Sequence, residues 1–69
     1  MLDELITRIW ASTYRLARSL GDEHSMDQLK QLRQHPPVFL DEQAALLVRI
    51  KEISHQLREQ SAQEATSND

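Results

Sequence analysis

Cysteine is absent from the 69-residue chain, so no disulfide staples the fold and no thiolate can hold a metal. Glycine occurs once and proline twice. One glycine cannot build a phosphate-cradling loop, and none of the serines lies in a Gly-x-Ser-x-Gly elbow. Aromatic residues are almost as scarce, with one Trp, one Tyr and one Phe. No apolar run approaches the roughly 18 residues a membrane span needs, and no basic segment leads into an apolar run at the N-terminus. Lack of cysteine suits a reducing compartment, so the expected location is the cytoplasm.

Positive charge is also in short supply. Eight Lys and Arg stand against eleven Asp and Glu, for a net charge of −3. Binding to nucleic acid is dominated by cations that neutralise phosphates, so this balance disfavours it. A chain this short buries only about 60% of its unfolded surface, and its single core is marginal. Oligomerisation or a partner is then the expected support.

What the sequence does contain is helix-forming material. Leu2, Leu5, Ile6, Ile9, Leu16 and Leu20 recur at helical spacing, which predicts an amphipathic helix over 2–20. Asp3 and Glu4 suit its first turn, and Gly21 suits the left-handed position just past its end. Ser25 and Gln28 read as a capping box, opening a short helix over 25–35 with Met26, Leu29 and Leu32 on a narrow stripe. Pro36 ends it, because a residue before proline avoids helical geometry. A third helix is expected over 40–60, with Asp41 available as its cap. Leu46, Ile50, Ile53 and Leu57 follow at steps of four, three and four, a coiled-coil seam. Residues 62–69 are polar and are expected to form a disordered tail. The fold class is therefore all-α. The expectation is one domain over 1–61, an antiparallel hairpin of two long helices with a short helix between them, assembling into a bundle.

Two stretches bear on function. The connector HPPVFL contains both prolines and the only phenylalanine. Its expected role is structural: the prolines separate two helices while Val38 and Phe39 drop into the core. The alternative is an exposed, polyproline-like segment that docks into a partner. On the first helix, Arg8, Arg15 and Arg18 cluster opposite the apolar stripe. Trp10 and Tyr14 border them, with Tyr14 expected to stack under Arg18. That ridge suits an acidic protein groove or a phosphate backbone. Ala44 and Val48 lie outside the stripe of the third helix and offer it a second face, and Thr13 interrupts the stripe of the first.

Candidate chemistry is thin. Glu52 and His55 have the Glu-x-x-His spacing of di-iron bundles, but the motif occurs once and points away from the seam. His24 and His35 flank the short helix without ligand spacing, and a chain this short is not expected to shape a pocket of several hundred cubic ångströms. No catalytic residue, cofactor or metal is predicted. The expectation is a small non-enzymatic helical protein that binds a helical or acidic protein surface, regulates or chaperones that partner, and forms a homo-oligomer. Partner contacts fall to Arg8, Trp10, Tyr14, Arg15, Arg18, Ala44 and Val48. Core and dimer seam fall to Ile6, Ile9, Leu16, Leu46, Leu47, Ile50, Ile53 and Leu57. The alternative is a nucleic-acid-binding transcriptional regulator that uses the arginine ridge.

Overall fold

In a computed structural model, residues 2–67 are described, and they form three helices without a strand: α1 (Leu2–Leu20), α2 (Glu23–Gln34) and α3 (Leu40–Ser67). Helix α1 ends as its sequence predicts. Gly21 has φ of +70°, and the Asp22 and Gly21 amides donate to the carbonyls of Ala17 (3.0 Å) and Arg18 (3.2 Å). Those two bonds make a Schellman motif, which satisfies the last free carbonyls of α1.

Helix α2 begins two residues earlier than its capping box suggested. Asp22, not Ser25, is the N-cap. Its carboxylate accepts from the Ser25 N–H at 3.1 Å and from the Ser25 hydroxyl at 3.0 Å. Ser25 and Asp22 are both good caps, and Asp22 prevails because its ionised carboxylate makes stronger, charge-assisted bonds to the Ser25 N–H and hydroxyl. The Ser25 N–H above all holds the Asp22 carboxyl below its ordinary value; desolvation pulls the other way, and the Ser25 hydroxyl, the Gln60 amide and nearby His24 add to the lowering. Because the folded value lies below the unfolded one, this contribution is present above the unfolded carboxylate range and is lost as pH falls through the folded value. Asp22→Ala should cost about 1 kcal/mol at pH 7. In urea unfolding, the gap from the natural chain should shrink below about pH 4, while Asp22→Asn keeps the cap and loses the pH dependence.

The direction of α3 corrects the hairpin. Asp3, Ile6 and Trp10 of α1 share a cavity with Gln43, Leu46 and Ile50 of α3, so the two helices begin at the same end. At the other end, the Gln60 amide donates to Asp22, just beyond α1, at 3.3 Å. The two long helices therefore run parallel, and α2 carries the chain back between them. With 12 residues, α2 covers about 18 Å. It is a return leg, completed by the connector at 35–39, and not a corner.

Helix α3 also runs past residue 60, through part of the segment expected to be disordered, to Ser67. Ala62 and Ala65 favour helix, and no glycine or proline interrupts the run. Residues 68 and 69 of that expected tail lie outside the described residues.

The core forms where the three helices meet. Ala17, Leu29, Ile50, Ile53 and Leu57 are fully buried, with Thr13 and Ser25 beside them. Three of the four seam residues of α3 are thus core, and Leu46 packs against them half-buried. Ile6, Ile9 and Leu16 are half-buried against the same cluster, while Leu47 is half-buried outside it. Thr13 and Ala17 lie one turn apart on the inner face of α1, where small side chains let the helices approach closely.

Candidate interaction surface

Three consecutive apolar side chains stand in solvent. Val38 is 83% exposed, Phe39 67% and Leu40 71%. This overturns the expectation that Val38 and Phe39 drop into the core. The physical reason lies in Gln43, one turn into α3. Its side-chain amide donates to the Pro37 carbonyl at 3.3 Å, with a longer contact to the Val38 carbonyl at 3.5 Å. Gln43 thereby ties the backbone of the connector to α3 while Val38 and Phe39 stay in solvent. The Phe39 carbonyl accepts from the Gln43 N–H at 2.9 Å, the first bond of the helix. Asp41 lies inside the first turn and accepts only from the neighbouring Glu42 N–H at 3.0 Å, so it is not the N-cap.

Behind this segment lies a cavity of about 550 Å³ between α1, α2 and α3. Its size falls within the range of ligand sites, contrary to the expectation for so short a chain. Ile6, Trp10, Leu32, Leu46 and Ile50 make its apolar wall, and Pro36, Pro37 and Val38 its outer lip. The polar groups around it are largely engaged. The Thr7 hydroxyl donates to the Asp3 carbonyl at 2.9 Å, Gln43 holds the connector, and Arg33 lies over Trp10.

Trp10 organises this end of the molecule. Its Nε1–H donates to the Leu29 carbonyl at 2.7 Å, joining α1 to α2. One face of its environment is the Tyr14 ring, stacked at 5.1 Å and 13°. The Arg33 guanidinium lies 4.6 Å from the Trp10 ring centroid. Tyr14 thus stacks on Trp10, and the cation over the aromatic pair comes from α2. The expected Tyr14–Arg18 stack does not form: Tyr14 instead stacks on Trp10, one turn before it, and the cation over that ring is Arg33.

Arg8, Arg15 and Arg18 are exposed, and none takes part in an ion pair among the described residues. They remain on the outer face of α1. Ala44 and Val48 are exposed on α3, Val48 by 55%. Glu52 and His55 do not converge. Glu52 pairs with Arg49 at 3.3 Å and His55 with Glu59 at 3.1 Å, all in solvent. Among the described residues, no group of three or more His, Cys, Asp or Glu is placed to hold a metal ion. No helix among them is long and apolar enough to cross a membrane.

Reading the sequence alone misses Gln43 and Arg33 as parts of this site. The signal for Gln43 was its place one turn after Phe39; for Arg33 there was none, since its stacking depends on how α2 packs on α1. Comparison with protein-family models, with characterised proteins and with solved structures finds no match for the chain.

Proposed function

We propose that this chain is a non-enzymatic interaction protein, which docks a partner protein at the Pro36–Leu40 end, regulates or chaperones that partner, and self-associates. The observation that carries the reading is the run of three exposed apolar residues beside an apolar-walled cavity. Isolated exposed apolar residues are ordinary, but a contiguous group beside a groove marks a binding surface. The two prolines restrict the segment before binding, so less chain entropy is lost on docking. Phe39 is an anchor of the kind that dominates interface energy. The engaged state of the polar groups around the cavity supports binding over catalysis.

The test is capture from lysate of the native host, with and without nuclease, by the natural chain and by a Val38→Asp/Phe39→Asp variant. A stoichiometric protein recovered by the natural chain in both conditions and lost by the variant is the expected result. Equal recovery by both chains would remove the docking segment from the account.

The unpaired Arg8, Arg15 and Arg18 favour a second reading, a nucleic-acid-binding regulator. It requires binding that weakens steeply with salt and collapses when the three become alanine.

A further inference from the structure

The inner seam of α3 continues past the start of the helix. Counting back from Leu57 through Ile53, Ile50 and Leu46, the steps of four and three reach Gln43 and then Phe39. Gln43, Leu46 and Ile50 all line the cavity of about 550 Å³. Position 39 is therefore the next place on a row that faces the cavity, one turn before Gln43. A helix that reached it would carry the Phe39 ring to the cavity mouth. The ring is instead 67% exposed, because α3 begins only at Leu40. The Phe39 carbonyl accepts the first helical bond, from the Gln43 N–H at 2.9 Å. Phe39 thus takes the N-cap position, whose dihedrals are not helical.

The sequence permits an earlier start. Pro37 keeps Pro36 out of helical geometry, but proline suits the first position of a helix, where its missing N–H is not needed. An α3 that began at Pro37 would leave His35 and Pro36 as the link from Gln34, the end of α2. Two residues are enough for a turn between antiparallel helices.

Substitute hydrogen bonds hold the helix at its shorter length. In a longer α3 the Asp41 and Glu42 N–H groups would donate to the Pro37 and Val38 carbonyls. Here the Glu42 N–H donates to the Asp41 carboxylate at 3.0 Å, and the Gln43 side-chain amide serves those two carbonyls at 3.3 and 3.5 Å. The two Gln43 contacts are long for bonds of this type, and backbone bonds can replace them. The gain on lengthening is transfer of the ring from water to a cavity walled by Ile6, Trp10, Leu32, Leu46 and Ile50. An apolar cavity of about 150 Å³ holds benzene, so a phenyl ring fits. The cost is the backbone freedom of Val38 and Phe39, since Pro37 has its φ fixed in either arrangement.

We infer that Pro37–Phe39 is a conformational switch. Lengthening α3 by these three residues turns Phe39 from solvent onto the cavity and hides it together with the groove; the structure described above is the open arrangement. A partner that engages exposed Phe39 binds only the open chain and draws the population toward it, and its apparent affinity scales with the open fraction. This inference rests on the docking role proposed for Phe39.

Phe39 is the only phenylalanine, so fluorophenylalanine supplied during expression labels the full chain at one site. The experiment is fluorine NMR of that chain in ordinary and in heavy water, where an exposed fluorine shifts between the solvents and a buried one does not. Gln43→Leu releases the connector and puts an apolar side chain on the seam. Asp41→Ala frees the Glu42 N–H and alters only an exposed side chain. Each variant should raise the ratio of buried to exposed fluorine at least about tenfold over the natural chain, and each should reduce partner capture. Fluorine equally exposed in the natural chain and both variants, with helicity retained by circular dichroism, would overturn the inference. If Gln43→Leu does not fold, Asp41→Ala decides the question by the same readout. Closure in a chain that captures no partner sinks the docking reading alone, and capture by a chain that never closes sinks the switch alone.

Discussion

A chain carrying Ile50→Asp together with Ile53→Asp loses its helical circular-dichroism signal at neutral pH. Ile50 is fully buried and Ile53 is 1% exposed. They belong to a core in which five apolar side chains are fully buried among the described residues. A carboxylate at either position has no partner and carries a desolvation penalty of several kcal/mol. The stability of a domain this size is about 3–10 kcal/mol, so two such penalties exceed or consume it. The matched control is Arg49→Asp with Gln56→Asp, which alters exposed positions on the same helix and should leave most of the signal intact. Folding that survives the buried pair would mean that the seam is not the core.

The second large effect is expected at Trp10. Trp10→Ala removes the indole that packs between Tyr14 and Arg33, together with its bond to the Leu29 carbonyl. The expected cost is about 3 kcal/mol, the lower end for burial-to-alanine changes of this kind because Trp10 is only half-buried. For a marginal domain this is a large share of the total, and the urea midpoint should fall accordingly. Trp10→Phe keeps a ring in place and gives up the hydrogen bond, so it should cost about 1 kcal/mol. The difference between the two variants measures the packing separately from the bond. Equal losses would show that the bond, and not the ring, joins α1 to α2.

These two sites show which features of the molecule were legible in sequence. The seam residues Leu46, Ile50, Ile53 and Leu57 could be read because a helix repeats with a fixed period, and burial follows that period. Gly21 could be read because a left-handed backbone at a helix end favours the one residue without Cβ. Both depend on local geometry. Ala17 and Leu29, fully buried, were not singled out. Alanine gives little hydrophobic signal, and Leu29 sits on a stripe too narrow to mark which of its residues the other helices cover.

Features that depend on tertiary placement were read incorrectly. The parallel course of α1 and α3 follows from α2 acting as a return leg; its expected length over 25–35 was nearly the observed 12 residues, and the error lay in reading it as a corner. The exposure of Phe39 depends on Gln43 holding the connector by its carbonyls while Trp10 supplies the aromatic at that end of the core. Composition had argued the opposite, since a fold poor in aromatics would be expected to bury the one phenylalanine. The exposed apolar run at Val38–Leu40 is apparent only in the structure.

The most direct test of the docking reading is photocrosslinking in the native host. A photoreactive phenylalanine analogue replaces Phe39 in one chain and Arg15 in another. The account predicts that position 39 gives one dominant adduct with a second, different protein, and that position 15 gives no nucleic-acid adduct. Absence of a protein adduct at position 39, with nucleic acid captured at position 15, would contradict it and move the function to the arginine face of α1.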